Sequence, residues 1–199
     1  MTFVIASNNK KKIEELERIL SPLNIYVRTP EQLGKESIEV EETGKTFAEN
    51  AELKAKAVCE YTGMAAIADD SGLVVDALNG EPGVYSARYA GENATDAEKI
   101  DKLLQELMKS GSSDRSARFE CVICCYFPGG EKLFATGTCE GTIGYAPRGT
   151  NGFGYDPIFF VEGNKTFAEL SDHQKDLISH RGRALKKLSE MLKKKYNVN

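Results

Sequence analysis

Three observations predict an α/β fold built on a mixed sheet: strand, polar turn and helix follow one another at the start, the middle is rich in β-like runs, and helix returns only near the end. Phe3 to Ala6 is a short β-like run. After the turn Ser7-Asn8-Asn9, the apolar residues Ile13, Leu16, Ile19 and Leu20 recur at helical spacing. Thr46 with Glu49 three residues on makes a capping box, and it opens a helix whose apolar side carries Phe47, Ala51, Val58 and Tyr61, with Lys54 on the same stripe. A second box, Thr95 with Glu98, starts a helix through Ile100, Leu103, Leu104 and Leu107. Past Gly111-Ser112-Ser113 come the strand-like runs Arg118 to Phe127 and Leu133 to Ile143, separated by the hairpin-type break Pro128-Gly129-Gly130. Leu185, Leu188, Met191 and Leu192 line one face of a terminal helix, and the Lys193 to Lys195 run suits the negative end of its dipole. The sequence shows no internal repeat and no low-complexity segment.

At 199 residues the expected organisation is a single domain over 1–199. With 41% hydrophobic and 28% charged residues, and no apolar run approaching the roughly 20 residues of a membrane helix, no membrane partner is expected. The opening residues read as a first strand rather than a secretory signal, so the expected setting is cytoplasmic. A net charge of −4 and a pI near 5.4 argue against a protein that holds a nucleic-acid polymer, while a single small anion stays open as a ligand. Cys121-x-x-Cys124 has the spacing of a metal or redox pair, but on a strand these two positions face opposite sides. The five cysteines are therefore read as small buried hydrophobes.

The run Ala65-Ala66-Ile67-Ala68 reads as a buried strand that finishes on Asp69-Asp70, with Ser71-Gly72 next. Two readings are open, a strand-terminating turn and a place where a divalent cation or an activated water is held. Alternation puts Asp70 on the side of Ala66 and Ala68, where small neighbours leave room for a ligand, and Asp69 on the side of Ile67. Asp70 is thus the candidate reactive carboxylate and Asp69 its support. In Ser7-Asn8-Asn9-Lys10-Lys11-Lys12, backbone N–H groups, a helix dipole and lysines can converge on an anion; an ordinary N-cap followed by exposed lysines has the same composition. A buried Lys54 needs a carboxylate or a charged ligand, unless it snorkels to the surface. Glu41-Glu42-Thr43-Gly44 supplies carboxylates for Lys54 or for a hard cation such as Mg²⁺.

Between Gly149 and Pro157 glycines alternate with aromatics, which suits close backbone approach and base stacking and equally a bulged strand end. Ser179-His180-Arg181 opens the last helix. Arginine only donates hydrogen bonds, so it can donate to a carbonyl and reject an amino group at the same place, whereas His180 reads equally as a surface residue near a cap.

Ser7-x-Asn9-x-x-Lys12, Glu42-Thr43-Gly44, Ala68-Asp69-Asp70-Ser71-Gly72-Leu73, Pro82-Gly83-Val84-Tyr85-Ser86-Ala87-Arg88, Phe153-Gly154-Tyr155-Asp156-Pro157 and Ser179-His180-Arg181 occur in that order. As a set they make the chain resemble the inosine triphosphate pyrophosphatase family, from residue 3 to about residue 192. Ser7 and Asn8 stand where that family commonly has threonine and glycine. The resemblance implies an elongated mixed sheet flanked by helices, two lobes with an active-site cleft between them, a homodimer and a Mg²⁺ requirement. It also implies hydrolysis of ITP, dITP and XTP to the monophosphate and pyrophosphate, which cleanses the nucleotide pool. Carried over by position, Ser7, Asn8, Asn9, Lys10, Lys11, Lys12 and Lys54 become triphosphate contacts, and Glu42 and Asp70 metal ligands, with Asp70 also the proton acceptor. Ser71 becomes a substrate contact, Phe153, Gly154, Tyr155 and Asp156 a base-stacking wall, and Lys175, His180 and Arg181 base-recognition groups. Two rivals stay open: a pyrophosphatase for pyrimidine or modified nucleotides, like the septum-inhibitor-like group, and a nucleotide-binding protein without turnover.

Overall fold

A computed structural model describes residues 1–197. Seven strands, β1 (Thr2–Ile5), β2 (Tyr26–Arg28), β3 (Ala66–Val75), β4 (Ser116–Tyr126), β5 (Lys132–Ile143), β6 (Phe159–Val161) and β7 (Lys165–Thr166), form one sheet in the order β2-β1-β3-β4-β5-β6-β7. β1 runs parallel to β2 and β3, whereas β6 is antiparallel to β5 and β7, so the sheet is mixed as expected. The α-helices are α1 (Lys10–Leu20), α2 (Phe47–Thr62), α3 (Asp96–Ser110), α4 (Asp172–Ile178) and α5 (His180–Tyr196). Among the described residues no helix is long and apolar enough to cross a membrane.

The chain divides into two compact units. The first comprises Met1–Asp70, Cys121–Gly137 and the chain from Arg181; the second comprises Ser71–Glu120 and Thr138–His180. In the first unit Asn9 caps α1 by accepting the Lys12 N–H, and Leu16 and Leu20 drop into a core with Phe3, Ile5 and Ile67. α2 begins at the expected capping box of Thr46 and Glu49, each side chain satisfying an amide of the other, and ends on Gly63 at φ 71°. Its buried stripe is Ala51, Ala55, Val58 and Cys59, small residues that let the helix lie close over Val4, Ala66 and Ala68. Tyr61, expected on that stripe, is instead exposed, with the Lys35 ammonium 5.1 Å from its ring centroid. Cys121 packs with Ile67 and Ile123 while Cys124 packs with Ala66 and Ala68, the opposite-face arrangement that alternation requires. All five cysteines are buried as thiols outside any disulfide among the described residues, and burial pushes the Cys121 and Cys124 thiols up to about 12.

The second unit has its own core, in which Ile100, Leu103 and Leu107 of α3 meet Leu73, Val75, Phe119, Phe159 and Phe167. α3 starts at the expected Thr95–Glu98 box. α4, capped by Ser171 with Gln174 at the third helical position, was not among the expected elements. β3 also differs from expectation, since it runs on through Asp69, Asp70, Ser71 and Gly72 to Val75 instead of finishing at the acidic pair. The reason is physical. Leu73-Val74-Val75 continues the apolar β pattern, and the two carboxylates tolerate burial in mid-strand because cations meet them.

Candidate active site

Strand alternation gives the neighbours Asp69 and Asp70 different partners within the first unit. Asp70, buried beside α2, has Oδ1 3.3 Å from the Lys54 ammonium, while its Oδ2 accepts a hydrogen bond from Asn50 Nδ2 at 3.2 Å. Lys54 also donates to Glu42 Oε1 at 2.6 Å. Lys54 therefore does not snorkel but bridges two carboxylates, one from the segment before α2 and one from β3. Burial disfavours its charged form, yet Asp70, Asp69 and Glu42 together outweigh this and raise its pKa. Burial dominates at Asp70, whose pKa is raised despite the pull of Lys54 and Lys12.

Asp69 faces the other way. Lys12 Nζ lies 3.2 Å from its Oδ2, and Arg181 donates to the same oxygen from Nη2 at 3.0 Å and from Nε at 3.3 Å. The Arg181 Nη1 donates to Glu15 of α1. Burial alone would raise the Asp69 carboxyl, but Lys12, Arg181 and Lys54 hold it well below the usual carboxylate range. The rest of the Ser7 to Lys12 segment has the geometry of a capped helix start: Ser7 Oγ accepts the Asn9 N–H, and Asn8, Lys10 and Lys11 are exposed. Arg181, expected at the base, is 1% exposed with its guanidinium on these two carboxylates.

The second unit holds Ser71, Phe153, Gly154, Tyr155, Asp156, Lys175 and His180. Ser71 is half-buried on β3. Residues 149–155 form neither strand nor bulge but an irregular loop leading into a short 3₁₀ turn at Asp156–Ile158. One oxygen anchors it: Asp156 Oδ2 accepts from Lys175 Nζ at 2.8 Å and from the Phe153 N–H at 2.9 Å. The same ammonium stands 5.1 Å from the Phe153 ring centroid, so Phe153 carries a cation against its face. Of the expected stacking wall, Phe153 and Gly154 are half-buried, whereas Tyr155 and Asp156 are buried. Tyr155 packs in the core and donates its hydroxyl to the Ser86 carbonyl at 3.0 Å. His180 is likewise no surface residue, since it stacks on Phe119 at 4.7 Å with the rings 12° apart.

Residues 3–191 match the Ham1 family. The chain belongs to the Ham1 family. It is 50% identical over 189 residues to a dITP/XTP pyrophosphatase of Exiguobacterium sp., which covers 94% of this chain and 95% of the relative. A dITP/XTP pyrophosphatase of Bacillus licheniformis is also 50% identical, over 95% of this chain and 96% of its own length. Among solved structures, a HAM1 protein from Coxiella burnetii superposes with a TM-score of 0.89 at 47% identity, covering 98% of this chain and 99% of its own. The Staphylococcus aureus Ham1 protein does so with 0.86, also at 47% identity, over 98% of this chain and all of its own.

Within this Ham1 chain three supporting side chains escaped sequence reasoning. Asn50 carries the amide on Asp70, Glu15 shares Arg181 with Asp69, and Asp96 accepts the Gly154 N–H at 2.7 Å. Asn50 and Glu15 had a local signal, a polar residue at a position that turns inward on a helix, whereas Asp96 reads as an ordinary first-turn acid of α3. No group of three or more His, Cys, Asp or Glu side chains able to hold a metal ion occurs among the described residues. Glu42 and Asp70 nonetheless fit a hard divalent cation, because both are oxygen donors already gathered around one positive charge.

Proposed function

We propose that this chain hydrolyses the deaminated purine nucleoside triphosphates ITP, dITP and XTP to the monophosphate and pyrophosphate with Mg²⁺, as its Ham1 relatives' names describe for dITP and XTP. One observation carries the chemistry: Lys12 and Lys54, 42 positions apart, both reach the single Asp69-Asp70 step, where Glu42 joins them. Mg²⁺ characteristically takes one or two protein carboxylates and completes its shell with water and substrate phosphates, which matches a site of two acids. Glu42 and Asp70 would hold the ion, which supplies charge neutralisation on phosphate oxygens and a more acidic water.

Water attacks the α-phosphorus, the bond from that phosphorus to the bridging oxygen breaks, and pyrophosphate leaves with the bond's electron pair. Asp70 accepts the proton of the attacking water. Lys12 and Lys54 turn from their carboxylates to the charge that builds on the leaving group, and the remaining Ser7 to Lys11 groups line the tail. Ser71 contacts the substrate, Phe153 with Gly154, Tyr155 and Asp156 supports the base, and Lys175, His180 and Arg181 recognise it. Donors aimed at O6 favour hypoxanthine and xanthine over adenine, whose amino group would meet them unpaired, a selectivity of roughly 10⁴ or more. A homodimer and a cytoplasmic setting belong to the same proposal.

The test is pyrophosphate release from a panel of ITP, dITP, XTP, dUTP and the ordinary triphosphates, with Mg²⁺ and with a chelator. Turnover of the inosine and xanthosine nucleotides that needs Mg²⁺ and disappears in Asp70→Asn is expected. Preference for a pyrimidine nucleotide, or no release from any, would overturn it.

A further inference from the structure

Asn50 is fully buried in the first turn of α2, where an asparagine is a poor helix former, and both ends of its amide are engaged. Its Nδ2 donates to Asp70 Oδ2 at 3.2 Å, and its Oδ1 accepts the Gly44 N–H at 2.8 Å. A flipped amide would set oxygen against carboxylate and N–H against N–H, so the network admits one orientation. Gly44 fits this contact because it has no side chain: a Cβ there would lie 2.5 Å from Asn50 Oδ1 and 2.9 Å from the Asn50 backbone nitrogen. Gly44 is two residues past Glu42. The amide therefore ties together the segment that carries Glu42 and the strand that carries Asp70. With Oδ2 of Asp70 engaged by Asn50, Oδ1 is the oxygen turned to the Lys54 ammonium that also holds Glu42.

We propose that Asn50 is a positioning residue that sets the spacing and orientation of the Glu42–Asp70 pair, and hence the affinity of the chain for its divalent cation. This rests on the assignment of Glu42 and Asp70 as the metal ligands. Neither its acid counterpart nor a truncated side chain does the same work. Aspartate cannot donate to Asp70 while ionised, and alanine removes the partner of both the half-buried Gly44 amide and the Asp70 oxygen. Groups that orient metal ligands from behind typically change affinity or activity by about 10–100-fold when removed.

Mn²⁺ binding to the nucleotide-free protein, followed by electron paramagnetic resonance, tests this in Asn50→Ala, Gly44→Ala, Glu42→Gln and Asp70→Asn, with circular dichroism and urea midpoints to confirm folding. Asn50→Ala is expected to weaken Mn²⁺ by roughly tenfold or more and to lower kcat in step. Nucleotide affinity measured in a chelator should stay within about threefold. Gly44→Ala, which displaces the same amide from its other side, should act in the same direction and decides the matter if Asn50→Ala does not fold. Wild-type Mn²⁺ affinity in a folded Asn50 or Gly44 variant, with Glu42→Gln and Asp70→Asn weakened, overturns the positioning role alone. Unchanged affinity in all four overturns the ligand assignment and the positioning role together.

Discussion

Asp69 and Asp70 are adjacent and chemically identical, yet the fold gives them opposite surroundings. Asp69 is fixed between Lys12 and Arg181 and stays ionised, whereas Asp70 is raised by burial and keeps the more basic carboxylate. The side each one faces was legible, because alternation along a strand beside Ala66 and Ala68 points Asp70 toward α2. The partner of Asp69 was not legible: Arg181 lies 112 residues away, and no local pattern announces a contact closed only by the tertiary fold. Arg181 is the counter-charge of Asp69 and Glu15 and is also the base-recognition group of the proposed function, and the two roles separate by experiment. Arg181→Met leaves two buried carboxylates without their guanidinium and should cost about 3–5 kcal/mol in urea unfolding. Loss of preference for ITP over ATP in the folded fraction would support the base role as well. A stability change under about 1 kcal/mol would remove the counter-charge role.

At the scale of elements, capping boxes gave the starts of α2 and α3 because the signal lies wholly within four residues. The end of β3 misled for the complementary reason, since Asp, Ser and Gly mark turns only where nothing buries them. The loop between Gly149 and Asp156 was legible as glycine-rich but not as a folded object. Its shape follows from Asp156, which holds the Phe153 N–H and Lys175 with one oxygen. Gly152, at φ 74°, passes so close that a Cβ would lie 2.0 Å from that oxygen. Gly152→Ala must therefore push Asp156 off its two partners and adopt a backbone region costly to alanine, by about 1 kcal/mol. KM for ITP is expected to rise roughly tenfold or more, since misplacement by about 1 Å at a binding group can cost up to ~100-fold. An unchanged KM in steady-state assays would detach this loop from base binding.

For the whole molecule, the two carboxylates predict opposite dependences of stability on pH. Asp69 has its native pKa below its unfolded value of about 3.9, so the stability it contributes is complete above that pH and is lost as pH falls toward the native value. Asp70 has its native pKa raised, so its contribution is complete below the unfolded value and is lost as pH climbs through the native one. At neutral pH the chain thus gains from Asp69 and bears a cost at Asp70, the residue assigned the proton transfer. Asp69→Asn should destabilise the protein at pH 7 by about 3–5 kcal/mol, because Arg181 and Lys12 lose a buried partner. That deficit should narrow as pH drops below about 4, where the wild-type chain forfeits the same contribution. Asp70→Asn should cost less than Asp69→Asn at pH 7, because Lys54 keeps Glu42 as a partner. Urea unfolding of the three proteins between pH 3 and 8 makes the comparison, and a deficit in Asp69→Asn that stays constant down to pH 3 would show that its carboxyl is not held low. If Asp70→Asn were instead the strongly destabilised variant at pH 7, the strain would sit on the structural acid rather than on the reactive one, and the division of labour between the two neighbours would have to be reversed.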